Sequence, residues 1–130
     1  MILVDTHVVV WLAFDQDQIS RKARAAIDDA RKNADGLAIS DITLLELATL
    51  ASKGRISLDI SLESFLQEVE SRFVVLPISG RACACAMGLR ATYPKDPADR
   101  IIAATALVEG LSLLTADREI RRSRTVQTIW

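Results

Sequence analysis

The sequence predicts an α/β fold: a central parallel sheet of four or five strands, with helices on both faces. Three observations carry this. Short apolar runs alternate with longer segments of helical periodicity, the order that builds a parallel sheet through crossover helices. The apolar runs are continuous rather than alternating, which suits strands covered on both faces. Capping residues, glycines and prolines stand at the joints between the two kinds of segment.

The first strand is Met1, Ile2, Leu3 and Val4, and it ends at Asp5. Residues 6–13 read as a helix. Ser20 caps a second helix reaching about Asn33, with Ala23, Ala26, Ile27 and Ala30 on one face. Gly36 breaks the chain, and residues 37–39 form the second strand. Ser40 or Asp41 caps the next helix, which passes through Leu44, Leu45, Leu47, Ala48 and Ala51 and stops near Gly54. A further helix opens at Ser61 or Leu62 and runs to about Ser71. Residues 73–76 are the plainest strand, stopped by Pro77. Residues 82–89 are helical and rich in small side chains. Residues 93–97 are a loop, because Tyr93 and Asp96 each precede a proline and are pushed away from helical geometry. Pro97 suits the first turn of a helix running to Glu109, ended by Gly110. Residues 111–114 are the fourth strand, Asp117 follows it, and a short helix leads to residues 125–130, the candidate fifth strand.

A length of 130 residues suits one domain with a real core, residues 1–130 throughout. Hydrophobic residues make up 50% and mean hydropathy is +0.22, so either the core is dense or part of the apolar surface lies in protein interfaces. With 16 basic and 17 acidic side chains the net charge is −1, which lacks the global positive field of a nonspecific nucleic-acid binder. If bound metal neutralised several acids, the remaining surface would be mildly basic. Cys83 and Cys85 have neither structural-zinc spacing nor disulfide geometry on a helix, and read as small buried side chains in a reducing compartment. No secretory signal and no membrane-spanning stretch is visible, so the expected location is cytoplasmic, with no membrane partner. No glycine-rich phosphate loop is present. His7 stands where a haloacid-dehalogenase phosphatase needs a second Asp, and Pro77 follows the strand whose end would carry a receiver domain's Asp.

The acids are placed tellingly. Ligands of open α/β sheets bind at the carboxyl ends of strands, where strand order reverses. Asp5 ends the first strand, Asp117 lies just past the fourth, Asp99 opens the helix feeding the fourth, and Glu46 lies one to two turns into the helix after the second. All four can share one edge, and the first and fourth strands read as neighbours, with Asp5 and Asp117 side by side. Clustered carboxylates raise one another's pKa, and a hard cation such as Mg²⁺ or Mn²⁺ relieves this through oxygen ligands. A hydrated cation so held can polarise a phosphodiester and help ionise an attacking water. Taken singly, Asp5, Asp99 and Asp117 also occupy ordinary capping or turn positions. Glu46 interrupts Leu44, Leu45, Leu47 and Ala48, so its charge needs a partner or an exit to water.

Four motifs then resemble those of one family, in order along essentially the whole chain. Ile2-Leu3-Val4-Asp5-Thr6-His7 with Trp11-Leu12 resembles the first motif of PIN-domain ribonucleases of the VapC toxin type. Ser40-Asp41-Ile42-Thr43-Leu44-Leu45-Glu46-Leu47 is similar to the second. Asp96-Pro97-Ala98-Asp99-Arg100-Ile101-Ile102-Ala103-Ala104-Thr105-Ala106 is similar to the third and is the most specific, and Leu113-Leu114-Thr115-Ala116-Asp117 matches the fourth. The resemblance implies a PIN-like three-layer α/β/α sandwich and a metal-dependent endoribonuclease, the toxin of a type II toxin–antitoxin pair, hydrolysing RNA with metal-activated water. It implies Asp5, Glu46, Asp99 and Asp117 as the catalytic and Mg²⁺- or Mn²⁺-binding acids. Thr115 would hold a metal-bound water or an acid, and Thr6 would support Asp5. Asp96 would serve the site's edge or shape the loop before Pro97. Arg100 would pair with an acid or a phosphate, or make a surface salt bridge. The implied partners are RNA, a cognate VapB-type antitoxin and a second copy of the chain.

Many relatives carry a histidine just ahead of the Asp-Pro pair, where this chain has Tyr93-Pro94-Lys95, so no substrate role can be assigned to that histidine here. His7, the sole histidine, reads as packed or solvent-facing rather than as a ligand. Arg118, Arg121, Arg122 and Arg124 either hold substrate phosphates or form a charged solvated surface. Lys53 and Arg55 serve a helix C-terminus. Two other readings stay open: a non-catalytic PIN-like protein-binding module, and a DNA structure-specific nuclease of the same fold.

Overall fold

In the computed structural model, β1 (Ile2–Val4) lies at the centre of the sheet, hydrogen-bonded on one side to β2 (Leu37–Ser40) and on the other to β4 (Leu113–Leu114). The structure describes residues 1–33 and 35–130. With β3 (Val74–Leu76) and β5 (Thr128–Ile129) at the edges, the order is β3-β2-β1-β4-β5 and every pairing is parallel. The chain builds outward from β1 through β2 to β3, then returns to β4 on β1's other side. That reversal puts the topological switch point, where open α/β sheets bind their ligands, at the carboxyl ends of β1 and β4.

Alternation along the strands sorts the core into two halves. Val4, Leu37, Ile39 and Leu114 face one way, onto α1 (Thr6–Phe14), α2 (Arg21–Lys32), α3 (Asp41–Ser52) and α4 (Leu62–Arg72) through Val8, Val9, Ala23, Ile27, Leu47, Phe65 and Val69. Leu3, Ala38 and Leu113 face the other way, onto α6 (Pro97–Glu109) and α7 (Arg118–Ser123) through Ile102, Ala103, Ala106 and Ile120. Packed against α6 is α5 (Gly80–Met87). The architecture is the α/β/α sandwich with a parallel sheet that the apolar runs predict.

The helices start where the sequence signals them. Ser20, Ser40, Ser61 and Ser79 each accept a hydrogen bond from an otherwise unpaired first-turn amide. Pro97 occupies the first turn of α6, and Gly110 ends it in the left-handed conformation at φ 66°. The strands are shorter than the apolar runs. The fourth pairs only over Leu113–Leu114 and the fifth only over Thr128–Ile129, because ladder pairing depends on the neighbouring strand rather than on hydrophobicity. Cys83 is exposed and Cys85 half-buried, both free, which corrects the expectation of buried thiols. Helix α5 turns Ala82 and Ala86 to the core, which leaves Cys85 at the edge of that face and Cys83 on the solvent side. No helix among the described residues is long and apolar enough to cross a membrane.

Candidate active site

Asp5 leaves the end of β1 as the N-cap of α1 and is almost fully buried. Such a carboxylate needs donors. Its Oδ1 accepts from the Thr6 amide at 2.8 Å, and its Oδ2 accepts from the Thr115 hydroxyl at 2.8 Å. Thr115 follows β4, so this bond ties together the carboxyl ends of the two strands flanking the switch point. The Thr115 oxygen in turn accepts from the Asp117 amide at 3.1 Å. Asp117 caps α7, with Oδ1 accepting from the amides of Glu119 at 2.9 Å and Ile120 at 3.1 Å.

Glu46 reaches the site from α3. Its Oε1 accepts from the Thr6 hydroxyl at 2.5 Å. Thr6 has one hydroxyl proton to give, so in its 3.0 Å contact with Thr43 the Thr43 hydroxyl is the donor. Thr43 lies three residues before Glu46, on the same helix face. The expectation that Thr6 supports Asp5 is therefore corrected in part: its amide holds Asp5, while its side chain holds Glu46. Burial pushes the Glu46 carboxyl up from its ordinary range, the Thr6 hydrogen bond pulls it down, and the charges of Asp5 and Asp96 push it up again.

Asp99 is the third residue of α6, and the cap is Asp96, whose Oδ1 accepts from the amides of Ala98 at 2.8 Å and Asp99 at 3.4 Å. Among the described residues no protein donor bonds the Asp99 carboxylate. Burial first, then the carboxylates of Asp5, Asp96, Glu46 and Asp117, push it up to about 7. The other three acids expected from the sequence, and Asp96, thus all act on Asp99 through their charge. Asp96 shapes the start of α6 through its bonds to the Ala98 and Asp99 amides, and its charge contributes to the upward push on Asp99 and Glu46.

Two residues beyond the expected set shape this site. Thr43 is one. The other is Tyr93, which is 1% exposed; its hydroxyl donates to the Asp99 carbonyl at 3.4 Å. Burial and the charges of Asp5, Asp99 and Asp117 drive its phenol upward, so it stays protonated and donating. The clue to Thr43 is a polar residue one turn from Glu46 in an apolar helix. A tyrosine in a proline-rich loop carries no such clue. Arg100 departs from the expected pairing with an acid: among the described residues no carboxylate lies within salt-bridge distance of it. Its guanidinium donates to the carbonyls of Ala86, Leu89, Arg90 and Tyr93 at 3.4, 3.5, 3.3 and 3.2 Å, pinning the α5–α6 connection. His7 Nε2 accepts from the Ala116 amide at 3.0 Å, so a neutral ring carries its proton on Nδ1, 3.6 Å from Asp5 Oδ2. That makes His7 a brace between β1's end and the loop before Asp117.

Oxygen is the only donor the acids offer, and such a set matches a hard divalent cation. Asp99, Glu46 Oε2 and Asp117 Oδ2 accept no hydrogen bond from the described residues. Yet no three His, Cys, Asp or Glu side chains among the described residues stand close enough to form a ready-made cage. Mg²⁺ keeps several waters and needs few direct carboxylate ligands, so the oxygen chemistry of these acids suits it without a ready-made cage.

The family model described as PIN domain matches residues 2–125. The chain is 37% identical to Ribonuclease VapC22 of Mycobacterium tuberculosis over 131 aligned residues, spanning 99% of this chain and 98% of the relative. It is similar to a chain in the crystal structure of DNA-bound VapBC from Salmonella typhimurium, with a TM-score of 0.69 and 27% identity over 98% of this chain and 97% of that one. The fold is also that of a chain in the structure of VapBC2 from Rickettsia felis bound to a promoter DNA fragment, with a TM-score of 0.75 and 22% identity over 98% and 97% of the two chains.

Proposed function

Because the chain belongs to the PIN-domain family, as a homologue of the VapC ribonucleases, we propose that it is a divalent-metal-dependent endoribonuclease, the toxin of a type II toxin–antitoxin pair acting in the cytoplasm. The observation that supports this reading best is geometric: the Thr6 amide and hydroxyl and the Thr115 hydroxyl tie Asp5, Glu46 and Asp117 together at the carboxyl ends of β1 and β4, and the charges of these acids help push the Asp99 carboxyl upward. These four acids would hold Mg²⁺ or Mn²⁺. Bound there, the cation would supply Lewis acidity toward a phosphodiester and ease ionisation of the attacking water.

The chain's own residues do the rest. Thr115 and the Thr6 amide hold Asp5 rigid at the crevice floor. The Thr43 and Thr6 hydroxyls aim Glu46 in series. Tyr93 and Arg100 fix the start of α6, and with it Asp99. With no protein donor among the described residues, the Asp99 carboxylate is left free for the cation, whose charge would hold it ionised.

A VapB-type antitoxin and a second copy of this chain are the proposed protein partners. The VapBC complexes among similar structures support the first. Exposed Leu45 and Met87 offer apolar surface for either.

The test mixes antitoxin-free protein with total cellular RNA and Mg²⁺ or Mn²⁺, beside an EDTA control and Asp99→Asn, and sequences the new RNA ends. Discrete ends that vanish with EDTA and with the variant establish the activity and name the target. A folded protein that binds metal and yields no ends would move the substrate to DNA; one that binds no metal would be a non-catalytic module.

A further inference from the structure

We propose that the outer face of α7 is a phosphate-binding subsite that grips the RNA backbone beside the acid cluster; the proposal rests on the nuclease reading above. Arg118, Arg121, Arg122 and Arg124 line one open concavity of about 390 Å³. All four are exposed, and no carboxylate lies within salt-bridge distance of any of them among the described residues. The chain carries a net charge of −1, so this is a local concentration of positive charge and not a general excess.

Local geometry builds the cluster. Arg118, Arg121 and Arg122 stand at i, i+3 and i+4, neighbours on a helix surface. Ile120, 1% exposed, anchors the opposite side in the core. Arg124 brings the fourth guanidinium round by adopting the left-handed conformation at φ 51°, the only non-glycine to do so among the described residues. An arginine there is strained, and such strain concentrates where a side chain must be aimed.

Position supplies the ligand. Asp117 caps α7, so the arginine face starts at the acid cluster and runs roughly 9 Å away from it, at 1.5 Å per residue. Side-chain stems on a helix tilt toward its N-terminus, here toward Asp117. Clustered carboxylates repel a polyanion, and unpaired guanidinium groups repel one another. An RNA backbone crossing from crevice to concavity relieves both, and phosphate oxygens suit the guanidinium fork. Among the described residues no aromatic side chain lines the concavity, so contact with backbone rather than stacking on bases is the chemistry it offers.

The test measures binding of a labelled oligouridylate by anisotropy across a salt series, with Mg²⁺, in the Asp99→Asn background. Arg118→Gln/Arg121→Gln/Arg122→Gln is expected to weaken binding about tenfold or more and to reduce the slope of log affinity against log salt by about 2, at roughly 0.7 per phosphate contact. Arg124→Gly should raise the melting temperature by relieving the strained φ while weakening binding. In the active protein the triple variant should raise KM and leave kcat at saturation unchanged. Unchanged affinity and slope in folded variants overturn the subsite. So does a triple variant that keeps its RNA affinity and loses an antitoxin peptide, since the face would then serve a protein. If the unmodified protein cleaves no RNA yet binds it through these arginines, the ribonuclease reading falls and the subsite stands. If it cleaves RNA and the triple variant's KM is unmoved, the subsite alone falls.

Discussion

The Thr115 hydroxyl donates to Asp5 Oδ2 at 2.8 Å across 110 positions of sequence, and the same oxygen accepts from the Asp117 amide. One side chain therefore sets the position of two acids from different strands. Thr115→Val keeps the shape and leaves a buried carboxylate oxygen and an amide short of partners. It should cost about 1–3 kcal/mol of stability, read by chemical denaturation. RNA cleavage should fall roughly 10- to 100-fold, the usual cost of losing an outer-shell partner of a metal ligand. Thr115→Ser should recover most of both. A Val variant with unaltered cleavage would falsify this role.

Metal-free protein should lose stability as pH rises. The Asp99 carboxyl stands at about 7 in the folded chain against 3.8 ordinarily, so between those values the folded state binds the extra proton. Stability then decreases across that window with rising pH. The melting temperature in EDTA should drop between about pH 4 and about pH 7. Asp99→Asn should flatten the drop. Mn²⁺ should stabilise more at the higher pH, because its ligands must be deprotonated. A melting temperature that climbs with pH in EDTA would contradict the assignment.

The Thr43–Thr6–Glu46 relay predicts a shift in the pH–rate profile. Thr6 holds the Glu46 carboxyl down against burial. Thr6→Val should move the acidic limb of kcat/KM to higher pH, and Thr43→Val should move it less in the same direction. Serine at either position should restore the profile. A limb that stays put in both valine variants rules the relay out.

Arg100 should behave as a structural clamp. Lysine cannot reproduce a guanidinium fork shared among carbonyls. Arg100→Lys should lose about 1–3 kcal/mol of stability. Limited proteolysis should nick residues 90–96 faster, with Mn²⁺ affinity falling through displaced Asp99 rather than through lost charge. Unchanged nicking would leave the clamp without support.

What the sequence by itself determined is whatever short-range chemistry dictates. Continuous apolar runs marked the strands, Ser20, Ser61 and Pro97 marked helix starts, and Gly110 marked a stop, since caps and turns are settled within a few residues. Asp5 and Asp117 were legible as strand-end acids for the same reason, and Glu46 through the apolar helix it interrupts. Their assembly around one crevice followed from the switch-point rule only once the first and fourth strands were taken as neighbours, a pairing the sheet contains. Only the tertiary structure decided which hydroxyl serves which acid, that Arg100 clamps carbonyls, that Tyr93 is buried beneath Asp99, and that four arginines share a concavity. The Thr6–Glu46 contact spans 40 residues and Thr115–Asp5 spans 110. A hydrogen bond is decided within tenths of an ångström, and over such separations that distance is set by packing of the whole sheet and its helices, which no local pattern encodes.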